Sequence, residues 1–271
     1  MFTNVKPTVR HIVPDDLKGR SLVKVVYVVL EPQYQSALSS AIRAINAHNS
    51  EVAFEVSGYL IEELRSSENY AAFQKDIAEA NIFIASLIFI EDLADKVVEA
   101  VKPCRDNLDA AVVFPSMPQV MRLNKMGSFS MAQLGQSKSA IGEFMKKRRQ
   151  KKGGGFEDAM LKLLRTLPSV LKYLPVEKAQ DARNFMLSFQ YWLGGSPENL
   201  ENFFLMLADR YVFTDKAIAG APQADSFDYA EPVTFPDVGI WHPMATQMFE
   251  DIKEYLNWYN SRKDLPADLR D

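Results

Sequence analysis

A single cysteine, Cys104, is all the thiol this 271-residue chain contains, which excludes an internal disulfide framework and fits a reducing compartment. Histidine is nearly as scarce. His11, His48 and His242 lie far apart and none belongs to a metal-binding spacing such as HExxH, so they read as surface or capping residues and no metal site is expected. No apolar run approaches the roughly 20 residues of a membrane span. The opening MFTNVKPTVRHIV is neither a secretory signal nor an Arg/Ser-rich transit peptide, so the chain is expected to be soluble and untargeted. Excess positive charge is absent too. With 31 basic against 35 acidic residues and a net charge of -4, the chain offers no general basic face for nucleic-acid phosphates.

What is present is ordinary globular composition, 47% hydrophobic and 24% charged, in a pattern that changes partway along the chain. Residues 22–30, LVKVVYVVL, form a nearly unbroken β-branched run, which predicts a strand buried on both faces of a parallel sheet. Tyr34, Leu38, Ile42 and Ile45 then recur at helical spacing, and a second strand is expected over 52–56. Further strands over 81–90 and 109–114 alternate with helices over 69–80 and 92–101. Alternation of this kind gives an α/β fold, a flavodoxin-like doubly wound parallel sheet over residues 1–136.

Over 137–213 strand-like alternation gives way to helical spacing, so a mainly helical domain is expected there. Phe156, Met160, Leu164, Leu167 and Leu171 mark one helix, interrupted at Pro168. Ala182, Phe185, Met186, Phe189 and Trp192 mark the next; Gly194 and Gly195 end it, Ser196 caps its successor and Pro197 takes that helix's first position. Residues 214–243 read as a proline-rich connection, and Met244, Met248, Ile252, Tyr255 and Tyr259 as an amphipathic helix within 244–271. The last residues, SRKDLPADLRD, read as a polar linker tail toward further domains.

Nucleotide chemistry has no obvious seat. The first strand of the sheet feeds Leu30-Glu31-Pro32-Gln33-Tyr34, where a phosphate-binding turn would need glycines or hydroxyls for close approach of backbone amides. Gly153 to Gly155 are not followed by Gly-Lys-Ser/Thr and read as a hinge. The adjacent pairs Glu62-Glu63 and Glu91-Asp92 do not face one another on a helix and read as helix-start acids. Trp192, Trp241 and Trp258 either line a flat-ligand pocket or belong to the core. No catalytic residue is assigned.

Two segments are candidates for recognition. Residues 114–139, FPSMPQVMRLNKMGSFSMAQLGQSKS, contain four methionines and no Asp or Glu, at the carboxyl end of a predicted strand where open α/β sheets place binding residues. Either this is a site or interface, or its methionines are buried on a helix. The basic run Lys146, Lys147, Arg148, Arg149 is either a solvated helix end or a docking surface for an acidic partner.

Specific strings carry further. KVVYVVLEPQYQSALS, SGYLIEELR, NIFIASLIFIEDLADKV, the 109–139 segment and AMLKLLRTLPSVLKYLPVEKAQDARNFMLSFQYWLGGSPENLENFFLMLADRYV closely resemble the N-terminal region of the magnesium chelatase H subunit, across nearly the whole chain. The large subunit of aerobic cobalt chelatase is a more distant relative. This resemblance implies ATP-dependent insertion of Mg2+ into protoporphyrin IX, in which the porphyrin is held by the large subunit, while D and I partner subunits supply the ATPase motor. It implies that this chain is a fragment, inactive alone, with no tightly bound cofactor of its own, in a cyanobacterial cytoplasm or a chloroplast stroma. Porphyrin contact is then expected from Met117, Met121, Met126 and Met131, with Arg122 or Lys125 for the propionates. The alternatives to porphyrin contact are docking of the motor subunits or of a porphyrin-delivering accessory protein, through Lys146 to Arg149, and a structural head that stabilises the body of the large subunit. Without the resemblance, the residues alone support a free-standing flavodoxin-like interaction protein.

Overall fold

The structure, a computed structural model, describes residues 10–129, 176–213, 227–233, 239–242 and 248–262, with 168, 171, 172 and 245. Its centre is a six-stranded sheet of β1 (Arg10–Ile12), β2 (Ser21–Val29), β3 (Val52–Leu60), β4 (Ile82–Ser86), β5 (Ala110–Val113) and β6 (Lys125–Met126). The order is β1-β3-β2-β4-β5-β6. The four inner strands are parallel, and the two edges are antiparallel. Taken alone, the parallel strands follow the second-first-third-fourth order of flavodoxin-like sheets, as the alternating pattern predicts.

Both faces are covered, which explains the near-continuous apolar runs of β2 and β4. Helices α2 (Ser67–Glu79) and α3 (Glu91–Val101) bury Phe73, Ile77, Leu93 and Val97 against one face. On the other face lie α1 (Gln35–His48), α5 (Glu177–Gly194) and α6 (Pro197–Leu207), with Leu38, Ile42, Trp192 and Phe203 against Val25, Phe54, Ile84 and Val112. A short helix, α4 (Pro118–Met121), follows β5. The helix ends follow local chemistry: Ser66 and Ser196 accept from the amides of Asn69 and Asn199, and Gly195 closes α5 in the left-handed region at φ 59.

This packing corrects the expected division into an α/β domain over 1–136 and a helical domain over 137–213. Helices α5 and α6 share one apolar core with the sheet, and the compact unit extends through Pro232. Sequence composition changes where the chain turns helical, but burial is decided by what covers the second sheet face. The two edge strands also escaped the periodicity, being three and two residues long. β3 runs to Leu60, beyond the expected 52–56, because Gly58 leaves room for the ring of Tyr27, its pairing partner on β2.

The second unit is 233–271. In it Ile240 and Phe249 exchange two backbone hydrogen bonds of 2.8 and 3.0 Å. Helix α7 (Ile252–Ser261) begins at the Asp251 cap, shortly after Phe249 is held in that extended bridge, and Met244 of the expected amphipathic pattern lies outside the described residues. His242 sits among the rings of Tyr255, Trp258 and Tyr259. Among the described residues, no helix is long and apolar enough to cross a membrane.

Burial of Tyr27 makes an alkaline transition. The loss of water around its hydroxyl pushes it up to about 12, with the Arg10 charge opposing the shift. A raised folded value means that its contribution is whole below the ordinary value near 10 and is lost as pH rises through about 12. Stability in urea is therefore expected to fall between pH 10 and 12 by about 3 kcal/mol from this group. Tyr27→Phe should flatten that part of the profile, and an unchanged profile would refute the assignment.

Candidate functional site

The carboxyl ends of β2, β4 and β5 meet where the strand order reverses, the place at which doubly wound sheets receive ligands. After β2 comes exposed Glu31 and the tight turn Pro32–Tyr34, which present a carboxylate and an amide-less residue in place of a phosphate cradle. After β4 the backbone enters the left-handed region at Leu87, φ 61. A branched residue is strained there. Leu87 donates its amide to the Pro115 carbonyl at 3.0 Å, Ile88 to the Ser116 hydroxyl at 3.1 Å, and Met117 to the Ile88 carbonyl at 2.8 Å. The loops following β4 and β5 are thus bonded into one rim, and Phe89 projects from it with 56% of its surface exposed.

The crevice itself is filled from within. Trp192 of α5 stacks on Tyr34 and on Phe114, both at 4.8 Å between ring centres, and its indole N–H donates to the Ser86 hydroxyl at 3.2 Å. Ser86 is the last residue of β4 and Phe114 follows β5. Trp192 is 1% exposed, so of the alternatives left open by its sequence it is core. Trp241 is 65% exposed and belongs, with Trp258, to the second unit.

The acid-free segment does not form a single surface. Met117 and Met121 are partly buried against the core beneath α3, on one face of the sheet, whereas Met126 is fully buried in the core of the other face. A ligand cannot touch all three without unfolding the edge of the sheet. Lys125 does not offer a free cation either, because its ammonium donates to the carbonyls of Asp106 and Leu108 at 3.0 and 2.6 Å. The expected grouping is corrected on both counts: alternation across β6 and the neighbouring carbonyls take Met126 and Lys125 out of it. Arg122 is exposed beside Met121 and remains available. Met131 and the Lys146, Lys147, Arg148, Arg149 run lie outside the described residues.

What the sequence reading missed is the polar anchor of this segment. Asp181 of α5, 7% exposed, accepts from the Ser128 amide and hydroxyl, both at 2.7 Å, and from the Tyr211 hydroxyl at 3.2 Å. Burial, then the Asp181 charge, holds the Tyr211 hydroxyl well above its ordinary value. Tyr211 lies in a π-helical turn, Ala208–Val212, that ends α6. The one clue in the sequence was an acid at position 181 amid the apolar spacing of α5. Among the described residues, no group of three or more His, Cys, Asp and Glu is arranged to hold a metal ion. His11 pairs with Glu55 and His48 with the Ala44 carbonyl.

Comparison with known proteins gives two adjoining family matches, a domain of unknown function (DUF3479) over residues 24–186 and CobN/Magnesium Chelatase over residues 189–269. Magnesium-chelatase subunit ChlH, chloroplastic, from Oryza sativa subsp. indica is 56% identical over 276 aligned residues, covering 100% of this chain. The magnesium-chelatase H subunit of Rhodobacter capsulatus is 37% identical over 64% of the chain, and that of Chlorobaculum parvum 28% identical over 88%. The chain spans 19%, 14% and 17% of the lengths of these three relatives.

Proposed function

The chain belongs to the magnesium-chelatase H-subunit family, as a segment of its N-terminal region, and from that premise we propose that it serves insertion of Mg2+ into protoporphyrin IX for chlorophyll synthesis. The observation that carries this reading is 56% identity to a plant H subunit across the whole chain. ATP is hydrolysed by separate D and I subunits. In support, the turn after β2 offers Glu31 and Pro32 where a nucleotide would need amide donors. Mg2+ and porphyrin are substrates of the assembled enzyme, working in the stroma of a chloroplast or the cytoplasm of a cyanobacterium.

Within this scheme the rim formed by the loops after β4 and β5 faces the porphyrin. Phe89, Met117 and Met121 supply apolar and polarisable surface, and exposed Arg122 supplies a partner for a propionate. Titration of the chain with deuteroporphyrin is expected to quench tryptophan emission saturably, and Phe89→Glu to weaken binding at least about tenfold, the effect of roughly 1.4 kcal/mol. Because Phe89 is exposed, this change carries no core penalty. Unsaturable quenching removes the rim from consideration. The wider assignment has its own test: the whole H subunit with D, I, ATP, Mg2+ and protoporphyrin IX should form the magnesium porphyrin, and this chain in its place should form none.

A further inference from the structure

We propose that the apolar face of α7 carrying Ile252 and Leu256 is an internal interface of the H subunit, covered by an apolar surface from the part of that subunit outside these 271 residues. The proposal rests on family membership and is independent of the porphyrin-facing rim.

The helix carries more apolar surface than its own unit covers. At 3.6 residues per turn, Trp258, Tyr255, Tyr259, Ile252 and Leu256 fall in that order along an arc of roughly 160°, with polar residues such as Asn257 on the opposite side. The aromatic end of the arc is packed: the rings of Trp258 and Tyr255 lie 5.2 and 5.6 Å from that of Phe249 between centres. The aliphatic end is bare, Ile252 being 62% exposed and Leu256 45%. Trp241, in the same unit, is as open as Ile252. A stripe packed at one end and bare at the other has the form of a domain core with one layer missing.

Size leads to the same conclusion. The unit 233–271 falls at the limit of about 40 residues below which a domain ordinarily needs a disulfide, a metal or a partner. The chain's one cysteine, Cys104, lies outside it, and among the described residues no group of side chains is arranged to hold a metal ion. Among the described residues of the unit, Phe249 is the one buried apolar side chain. A partner is therefore required, and three observations choose it. The CobN/Magnesium Chelatase match, residues 189–269, takes in this unit, which makes it part of the large subunit's own family pattern. The chain spans 19% of the rice H subunit, so most of that relative has no counterpart here. Finally, aliphatic and indole surface with no charge in the arc is the chemistry of a permanent interface, which resembles a core cut in two.

Thiol labelling on this face tests the proposal, in this chain and in the whole H subunit, with the labelled peptide identified by its mass. Leu256→Cys should react with a maleimide at least about tenfold more slowly in the whole subunit than in this chain, because labelling there requires the face to open. Asn257→Cys, on the opposite side of α7, should react in both at rates within about twofold of one another. Ile252→Cys repeats the measurement at a more exposed position if Leu256→Cys disturbs folding. Equal rates in chain and subunit for Leu256→Cys and Ile252→Cys would overturn the proposal, as would equal slowing of Asn257→Cys. Slowing that grows with subunit concentration would assign the face to a second copy, and slowing that needs added D and I subunits would assign it to them; either result overturns the proposal.

Discussion

Gly58→Ala is expected to destabilise the chain by about 3 kcal/mol, a large effect for one added methyl group. A Cβ at this position would come within 2.1 Å of Tyr27 Cζ and 2.2 Å of its hydroxyl oxygen, distances at which real Cβ atoms do not occur. Tyr27 cannot yield easily, because it is 2% exposed and belongs to the core between β2 and the helices over it. Interiors packed at crystal density transmit such a clash to the backbone. The two residues are directly paired across parallel strands, so the glycine is a requirement of the sheet itself. Elsewhere in a strand, alanine would be the better residue by about 0.5–1 kcal/mol. A double-mutant cycle in urea isolates the cause: with Tyr27→Ala in place, Gly58→Ala should cost less than about 0.5 kcal/mol. A cost unchanged in that background would mean that the ring is not the obstacle.

The second large effect concerns the anchor of the acid-free segment. Asp181→Ala is expected to cost about 3 kcal/mol, since hydrogen bonds to charged groups contribute about 1.5–3 kcal/mol and their loss strands buried donors. Those donors are the amide and hydroxyl of Ser128 and the hydroxyl of Tyr211. Asp181→Asn keeps the shape and one acceptor oxygen, so roughly half the cost should return. Hydrogen exchange gives the local readout: the Ser128 amide should lose protection before those of β2 do. The same carboxylate explains Gly127, which sits at φ 55 and would bring a Cβ within 2.5 Å of Asp181 Oδ2. If Asp181→Ala leaves Ser128 protected, the segment 126–129 is held by packing of Met126 and Phe129 in the core and not by the carboxylate.

These two effects mark where sequence reading stopped. The strands β2, β4 and β5 and the helices α1, α5 and α6 were legible because each buries a repeating apolar set, and period is a local property. The caps at Ser196 and Gly195 were legible for the same reason, being set by residues within one turn. Nothing local marked Arg10–Ile12 or Lys125–Met126 as strands, since short edge strands are selected by the partner that pairs with them. The candidate site was legible as a region but not as a surface. Four methionines without an intervening acid signalled recognition, yet Met126 faces the core of one side of the sheet while Met117 and Met121 pack on the other.

By itself, the sequence determined the α/β class, the family and the absence of a phosphate-binding turn after β2, because these reside in periodicity, in long specific strings and in the identity of five consecutive residues. Only the tertiary structure decided that α5 and α6 complete the sheet's second face, that Trp192 fills the crevice at the reversal point, and that Lys125 is already engaged. Each of these joins residues well separated in the sequence, from 17 positions for Lys125 and Leu108 to 106 for Ser86 and Trp192. Which distant partner satisfies a buried donor or covers an apolar face is settled by the packing of the whole sheet, and no local pattern encodes it.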